Sequence, residues 1–274
     1  MMRQSSQNIN NSNNAAWDRV AIEYERRVEP FTSSFVAEMI APFQAKQGRN
    51  KLLDVGCGTG MGSYIAAQAG FDVTASDWSP AMADRVERFS GINSVVADGQ
   101  NLPFDNEFDY VMGAFSVIFF PSPVLGLEQI RKCLVDGGNV VMSAWGNEAE
   151  TPAFRVFPDA IQATFPDFAR STEPRRVTGS RDSLSQLLHD AGFEDIRVEG
   201  PIERKLEVPS AEEFYYRFSK TSPNVMGMLD TLNEEQEETL RKKVMELATE
   251  RSCRDDRISI PSGCYFAYGT KPGK

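Results

Sequence analysis

Histidine and cysteine are scarce in this sequence of 274 residues. There is one histidine, His189, and the four cysteines are Cys57, Cys133, Cys253 and Cys264. The cysteines form no Cys-x-x-Cys pair, so we expect reduced thiols and not a disulfide framework. No group of histidines and carboxylates has the spacing of metal ligands, and no metal site is predicted.

Long apolar runs and an excess of positive charge are also lacking. No run reaches the roughly 18 apolar residues of a membrane-spanning helix, and the N-terminus lacks the basic and apolar regions of a signal peptide. Lys and Arg number 29 against 39 Asp and Glu, and the formal net charge of −10 argues against a broad nucleic-acid surface. We therefore expect a cytoplasmic protein with no nucleic-acid partner and no membrane insertion. The sequence does not indicate its oligomeric state.

Hydrophobic residues make up 41% of the chain, which allows a sizeable buried core. Residues 1–14 are an exception, because they are rich in Asn, Gln and Ser and nearly free of large apolar groups. Such a segment predicts a disordered tail. An N-terminal helical segment is expected at 15–50, with one helix from near Ala15 and a second at Ser33–Phe43.

Strand-like and helix-like runs alternate over residues 51–150. Strands are predicted at Leu52–Val55, Asp72–Ser76, Ser94–Ala97, Tyr110–Ala114 and Asn139–Ala144. Helices are predicted at Met61–Ala69, Ser79–Phe89 and Val124–Leu134. Ser79-Pro80 is typical of a helix start, and Asp136-Gly137-Gly138 predicts a turn. The alternation predicts an α/β fold with a parallel sheet covered by helices on both faces.

After Trp145 two segments interrupt this pattern, and we interpret both as lid insertions over the carboxyl edge of the sheet. The first, 151–180, has a short predicted helix around Phe154–Phe165, and the second, 201–255, is predicted to be helical. The core is expected to continue at 181–200 and to end with a strand in 256–274. Further helices are predicted at Ser180–Ala191, Ala211–Ser219 and Asn233–Glu250, and further strands near Glu194–Glu199 and Cys264–Gly269.

The most informative stretch is Lys51-Leu-Leu-Asp-Val-Gly-Cys-Gly-Thr-Gly60, an apolar strand that enters a glycine loop. Glycine at alternate positions lets the backbone turn sharply and approach a ligand closely. The dinucleotide pattern Gly-x-Gly-x-x-Gly is not met, because its third glycine would stand at Met61 or at Ser63.

Ligands of open α/β sheets bind beyond the carboxyl ends of the strands. The backbone at Gly56, Cys57 and Gly58 is therefore expected to contact a ligand. Asp54, just inside the loop, has two interpretations that the sequence leaves equally open. It either orients the ammonium end of an amino acid, directly or through water, or it ties down the turn.

Two further carboxylates follow the next strands. Asp77 is suited to accept both hydroxyls of a ribose, because a carboxylate offers two acceptor oxygens. Its alternative role, capping the following helix, is weaker because Ser79 can do that. Asp98 is suited to accept the exocyclic amine of adenine, and its alternative is a turn aspartate.

The fourth strand ends at Phe115 and Ser116, which are expected to flank the reactive end of the ligand. Ordinary core packing is the alternative for Phe115. For the neighbouring Phe119 and Phe120, core packing is the preferred interpretation.

Three runs in the expected order carry a family resemblance: Leu53-Asp-Val-Gly-Cys-Gly-Thr-Gly60, Asp77-Trp-Ser-Pro-Ala-Met82 and Ala97-Asp-Gly-Gln-Asn-Leu-Pro-Phe104. They resemble the motifs of class I S-adenosylmethionine (SAM)-dependent methyltransferases, and Cys133-Leu-Val-Asp-Gly-Gly138 fits the small-molecule, type 11-like branch. The family usually has proline where this chain has Asp136, which should alter only the stiffness of that turn.

The resemblance implies a Rossmann-like, seven-stranded sheet of order 3-2-1-4-5-7-6 whose last strand is antiparallel, with SAM bound by the core at 51–150. It adds Trp78, Met82, Gly99 and Gln100 to the expected cofactor-binding residues. In the family an aromatic residue of the N-terminal helix often closes over the cofactor. Tyr24 resembles that residue, and simple packing of Tyr24 is equally open.

Candidates for acid–base chemistry are few. His189 is predicted to lie on the surface of a helix, away from the site. Tyr215 and Tyr216 belong to the second insertion, and both are better explained as lid core than as catalytic groups. Met226, Met228 and Phe154 offer an apolar substrate surface, although helix packing is the favoured interpretation of all three.

The resulting hypothesis is a methyltransferase that transfers the methyl group of SAM to an O, N, S or C nucleophile of a small, partly apolar molecule. The catalytic residues remain unassigned, with Tyr24, Tyr215 and Tyr216 as weak candidates. Two alternatives stay open from the sequence alone: a nicotinamide-dependent dehydrogenase, and a SAM-binding regulatory protein without catalysis.

Overall fold

The computed structural model describes residues 3–166 and 179–273. The chain divides into two compact units. The core unit comprises Met1–Ala144, Arg181–Glu199 and Phe266–Lys274, and the inserted unit comprises Trp145–Ser180 and Gly200–Tyr265. Residues 1–2 of the expected tail, residues 167–178 of the first expected lid segment, and residue 274 lie outside the described residues.

A seven-stranded sheet has the order β3-β2-β1-β4-β5-β7-β6. Its strands are β1 (Lys51–Val55), β2 (Asp72–Asp77), β3 (Asn93–Val96), β4 (Phe108–Gly113), β5 (Leu134–Trp145), β6 (Glu194–Val208) and β7 (Ile258–Thr270). The pairs β1–β2, β1–β4, β2–β3 and β4–β5 are parallel. Strand β7 runs antiparallel to β5, because the Gly146 N–H donates to Gly263 O while the Gly137 N–H donates to Lys271 O. The predicted strand order and antiparallel last strand are confirmed.

The helices are α1 (Arg3–Arg27), α2 (Glu29–Thr32), α3 (Val36–Ile40), α4 (Met61–Gln68), α5 (Pro80–Arg85), α6 (Pro123–Cys133), α7 (Pro152–Thr164), α8 (Arg181–Asp190), α9 (Ala211–Thr221), α10 (Pro223–Leu229) and α11 (Glu234–Arg251). The central strand β1 is buried from Leu52 to Val55, as a parallel strand covered on both faces should be. None of the described helices is long and apolar enough to cross a membrane.

Strand order reverses between β1 and β4, because β2 and β3 extend the sheet to one side and β5 to the other. Asp54 lies at this point, opposite Ala75 of β2 and Met112 of β4. The loops after β1 and β4 therefore leave the sheet side by side. This is the crevice in which open α/β sheets bind their ligands.

Helix α1 begins at Arg3 and overlaps the segment 1–14, for which a disordered tail stays a prediction. Extending an existing helix adds one hydrogen bond per residue fixed, which is easier than starting one. One expectation about local structure was wrong. The expected turn Asp136-Gly137-Gly138 lies within β5, where the pairing with β4 shifts register. Gly137 has φ +71°, and backbone hydrogen bonds connect this bulge to Lys271 of β7.

The inserted unit has an aromatic core of its own. Phe157 stacks on Tyr215 with ring centroids 5.7 Å apart, and Phe154 meets Phe218 edge-on at 6.0 Å. Helix α11 adds Leu240, Val244 and Ala248, all fully buried. Phe154 therefore belongs to this packing, which agrees with the preferred interpretation of that residue.

Candidate cofactor site

The glycine loop after β1 is shaped by backbone contacts. Gly56, Gly58 and Gly60 have φ of +70°, +56° and +98°, a region that side chains disfavour. The N–H groups of Gly56 and Cys57 donate to the same carbonyl, Ser76 O, at 2.8 and 3.0 Å. A Cβ on Gly56 would lie only 2.5 Å from Ser116 Cβ, so close approach requires glycine there as much as φ does.

Asp77 connects the glycine loop to helix α5. Its Oδ2 accepts from the Gly58 N–H and its Oδ1 from the Ser79 N–H, both at 2.9 Å. Burial raises the pKa of this carboxyl group to about 6. Ser79 caps α5 by accepting from the Met82 N–H at 3.1 Å, as the sequence predicted. A carboxylate offers about four acceptor positions, so Asp77 can still accept from a ribose hydroxyl.

Asp54 is the best-buried carboxylate of the site, with 2% of its surface exposed. Its Oδ2 accepts from the Ser63 hydroxyl at 2.6 Å, while Oδ1 is buried without a partner among the described residues. Burial raises the pKa of Asp54 to about 7, and the nearby charge of Asp77 adds to this effect. Leaving a buried acceptor unsatisfied is costly, so Oδ1 calls for a donor from a ligand or water. This favours the ligand-orienting interpretation over the turn-tying one.

Asp98 takes part in a turn, because its Oδ1 accepts from the Gln100 N–H at 2.9 Å. Gly99 is buried, and a Cβ at this position would lie 2.6 Å from the ring of Phe120. The Gln100 side chain accepts from the Ser122 N–H at 2.7 Å. The turn role of Asp98 is thus present, and its contact with adenine stays a prediction, as do ligand contacts of Gly99 and Gln100.

The end of β4 carries a strained residue. Phe115 has φ +58° although it is not glycine, and its N–H donates to the Ser143 hydroxyl at 2.9 Å. Its ring is 4% exposed and meets Phe35 edge-on at 5.5 Å. The Ser116 hydroxyl that follows is buried without a partner in the described part of the chain. Strain of this kind gathers at ligand sites, and a second orphaned polar atom lies beside the glycine loop.

An aromatic cluster, defined here as Trp17, Tyr24 and Phe119, lies against the loop. A Cβ on Gly58 would lie 3.4 Å from the Tyr24 ring, and the Trp17 ring meets Tyr24 at 6.1 Å and Phe119 at 5.0 Å, both edge-on. Phe119 is 46% exposed, so its interpretation as core was wrong. Phe119 is the last residue of the short helical turn Val117–Phe119 that follows β4.

Trp78 and Met82 differ in their burial. Met82 is 2% exposed and packs inside the core unit, whereas Trp78 is half-buried between Asp77 and Ser79. Their contact with a cofactor stays a prediction. His189 is on the surface as expected, with 75% of its side chain exposed.

Within the inserted unit, Tyr215 is buried and its hydroxyl donates to Glu237 Oε1 at 2.9 Å. Burial and the carboxylate of Glu237 raise the pKa of Tyr215 well above its usual value. Tyr216 is half-buried, with its ring 5.9 Å from that of Tyr215. A hydroxyl engaged in this way agrees with the lid-core interpretation of Tyr215.

Sequence reasoning missed two carboxylates from the N-terminal helices. Asp18 Oδ1 accepts from the Ser79 hydroxyl at 2.5 Å and from the Ala81 N–H at 3.1 Å, at the start of α5. Glu29 is 6% exposed and binds the start of α4. A signal was available, because residues 18, 25 and 29 are acidic and their spacing of seven and four places them on one helical face.

Comparisons with known proteins identify the family of this chain. The profile of a methyltransferase domain family matches residues 53–142. A demethylmenaquinone methyltransferase of Staphylococcus carnosus is 31% identical over 178 residues, which cover 57% of this chain and 72% of that protein. The corresponding enzyme of Paenarthrobacter aurescens is 29% identical over 189 residues, covering 59% of this chain and 74% of that protein.

The fold is shared with a solved SAM-dependent methyltransferase from Thermotoga maritima at a TM-score of 0.54 and 18% identity, covering 94% of this chain and 98% of that one. The sheet is the Rossmann-like sheet of methyltransferases, and SAM is the methyl donor; the binding of SAM by the glycine loop and Asp54 stays a prediction. The chain belongs to the class I SAM-dependent methyltransferases. It is an enzyme that uses SAM to methylate small molecules, which decides against a nicotinamide dehydrogenase and against a protein without catalysis.

The residues present fit this cofactor. Asp54 Oδ1 offers an acceptor for its ammonium group, and Asp77 offers acceptors for its ribose. When bound, SAM supplies an activated methyl group on a sulfonium. The chain would hold the cofactor through the glycine loop and through the carboxylates of Asp54 and Asp77.

Proposed function

We propose that the methyl acceptor is a small, planar, partly apolar molecule of the hydroxylated quinone class. The observation that supports this most directly is the aromatic cluster of Trp17, Tyr24 and Phe119 beside the glycine loop, with the Phe119 ring 46% exposed. Exposed aromatic rings contact planar apolar ligands by stacking and edge-on packing. The demethylmenaquinone methyltransferases among the relatives agree with such an acceptor.

Two cations near the cluster are already paired with carboxylates, so they do not favour a phosphorylated acceptor. Arg85 and Arg88, the cations of the neighbouring helix α5 and the turn after it, are already paired with Glu25, and Arg88 also with Glu29. A phosphorylated acceptor would require cations that are not so engaged. The cluster instead offers apolar surface.

In the reaction, the acceptor atom forms a bond to the methyl carbon, the bond between that carbon and sulfur breaks, and sulfur keeps the electron pair. The proton of the acceptor passes to water or a base. Alignment of the two reactants supplies much of the acceleration, about 7 to 11 kcal/mol in favourable cases.

Cytoplasmic location and enclosure of the acceptor by the segments 151–180 and 201–255 stay predictions.

The test is transfer of label from methyl-labelled SAM to three small acceptors: a reduced naphthoquinone that lacks the ring methyl group, a catechol and phosphoethanolamine. We expect label in the quinone or the catechol. The Phe119→Ala variant should raise the KM of that acceptor about tenfold with a smaller change in kcat, because an aromatic contact is lost. Leu125→Ala is the matched control, since Leu125 is another apolar residue of the same unit and is 41% exposed. Label found only in phosphoethanolamine, or only in protein or RNA fractions, would overturn the proposal.

A further inference from the structure

We propose that Glu29 is a positioning residue of the cofactor site: it connects the N-terminal helices to the glycine loop and holds that loop in its cofactor-binding conformation. The inference concerns cofactor binding and does not depend on which acceptor the enzyme uses. It rests on contacts that lie entirely within the core unit.

The helix that follows the glycine loop lacks a capping side chain from the loop itself. Helix α4 begins at Met61, and the residue before it, Gly60, has no side chain with which to cap the helix. The first N–H groups of a helix require acceptors from elsewhere. Ser, Thr, Asp or Asn usually supply one from the capping position, which glycine here occupies because φ is +98°. Gly60 thus permits the turn of the backbone but leaves the start of α4 without a side-chain cap.

Glu29 supplies the missing acceptor from about thirty residues upstream. Its Oε1 accepts from the Met61 N–H at 3.0 Å and from the Thr59 hydroxyl at 2.5 Å. Its Oε2 accepts from the Arg88 guanidinium at 2.7 Å. The carboxylate is 6% exposed, and a negative charge at a helix N-terminus is also favoured by the helix dipole. Residues 59 and 61 both belong to the segment that leaves the glycine loop.

A second carboxylate reinforces this connection. Glu25, one helical turn before Glu29, forms ion pairs with Arg85 and Arg88. Arg88 therefore bridges Glu25 and Glu29, and the N-terminal helices are held against the segment that follows α5. Tyr24, next to Glu25, packs on Gly58 from the same helix. The position of α1 and the shape of the loop are thus fixed by one set of contacts.

Such an arrangement makes cofactor binding and docking of the N-terminal helices reciprocal. If the cofactor binds better when the loop is held, then bound cofactor must by the same factor favour the docked helices. Residues that merely stabilise the fold do not have this property. Protection of α1 by ligand is therefore the readout that separates positioning from stability.

The experiment measures S-adenosylhomocysteine (SAH) affinity by titration calorimetry, well below the unfolding temperature of each variant. Glu29→Ala should weaken SAH binding about tenfold or more, since couplings between sites of this kind are roughly 5- to 150-fold. Glu29→Gln keeps an acceptor oxygen but loses the charge, and it should restore part of the affinity. Glu23→Ala is the matched control, because Glu23 pairs only with Arg26 and Arg27 of its own helix in the contacts described. Its affinity should stay within twofold of the wild type.

Limited trypsin digestion at Arg19, Arg26 and Arg27 supplies the second readout. Cleavage in a helix requires local opening, so SAH should slow it in the wild type and in Glu23→Ala but not in Glu29→Ala. If Glu29→Ala lowers Tm yet keeps both SAH affinity and SAH protection, Glu29 is only a structural residue and the inference is wrong.

Thr59→Val provides a milder variant in case Glu29→Ala does not fold. It removes one hydrogen bond from the same carboxylate, and a three- to fivefold loss of SAH affinity, roughly the effect of one such bond, is expected. Unchanged affinity in a folded Thr59→Val protein would contradict the inference. A wild-type chain that does not bind SAH would overturn the cofactor assignment itself, and the inference with it.

Discussion

The glycine loop and the N-terminal helices both shape the cofactor site, but by opposite means. The loop acts through its backbone: three glycines at positive φ and N–H groups that bind Ser76 and Asp77. The N-terminal helices act through side chains, namely the carboxylates of Asp18 and Glu29 and the ring of Tyr24. One site is thus shaped by backbone geometry at its loop and by side chains distant in sequence at its edges.

The largest effect is expected from adding one carbon to the loop. Gly56→Ala places a Cβ 2.5 Å from Ser116 Cβ at φ +70°, and both clash and strain act together. We expect a loss of about 3 kcal/mol in the free energy of unfolding and no measurable SAH binding. Chemical denaturation and calorimetry measure these two quantities.

Gly91→Ala is the matched control for that variant. Gly91 also has positive φ, +85°, but an added Cβ would meet nothing within 4 Å. It should cost about 1 kcal/mol in stability and leave SAH affinity intact. Equal losses of stability for the two variants would show that strain alone, and not close approach, requires glycine at 56.

The next effect concerns Asp54, whose raised pKa of about 7 predicts a pH dependence. A carboxyl group whose pKa is higher in the folded than in the unfolded chain stabilises the folded state at low pH. This contribution is complete below the unfolded pKa and is lost as pH rises towards the folded pKa, here about 7. The Tm of the SAH-free protein should therefore fall between about pH 4 and pH 7 and level off above that, and Asp54→Asn should flatten this slope. Asp77, with a pKa raised to about 6, contributes in the same direction and remains in the variant.

Ligand binding should show the reverse trend. The ionised form of Asp54 suits an ammonium group, so SAH affinity should rise with pH through 7 in the wild type. Asp54→Asn should cost about 2 kcal/mol of binding free energy, roughly 30-fold in Kd. If Asp54→Asn binds SAH as tightly as the wild type at pH 8, Asp54 does not contact the ligand and only stabilises the turn.

The sequence predicts local features of the fold, such as helix starts, better than it predicts contacts between distant residues. Ser79-Pro80 predicted the start of α5, and Ser79 caps that helix as expected. Ser222-Pro223 carries the same signal before α10, where the Ser222 hydroxyl accepts from the Val225 N–H. Local rules of this kind work because the capping residue and the capped N–H lie within three positions of each other.

Contacts over long distances in the chain were not predictable in this way. Glu29 binds residues 59 and 61, and nothing in its own neighbourhood indicates that partner. Phe119 was expected in the core, yet its side chain is 46% exposed and its ring meets that of Trp17. Side-chain environment is decided by tertiary packing, which periodicity alone does not contain.

A smaller effect is expected from Asp18→Ala. Asp18 accepts from the Ser79 hydroxyl and the Ala81 N–H, but Ser79 still caps α5 through the Met82 N–H when Asp18 is removed. The remaining cap should limit the loss to about 1 kcal/mol of stability. SAH affinity should fall less than fivefold, because Asp77 keeps its bonds to Gly58 and Ser79. A larger loss than that of Glu29→Ala would reverse the order of importance within the N-terminal helices.

The smallest effect is expected at Cys57, although it stands between two glycines of the loop. Its N–H donates to Ser76 O, and any side chain preserves that bond. Among the described residues its thiol bonds only to Gly58 O, at 3.4 Å, and burial raises the pKa of Cys57 well above its usual value, so it stays a neutral thiol. Cys57→Ala should therefore change SAH affinity by less than threefold in calorimetry, near the lower end for loss of one weak hydrogen bond. A tenfold loss would mean that the loop binds the cofactor through a side chain as well, and the contrast with the N-terminal helices would no longer hold.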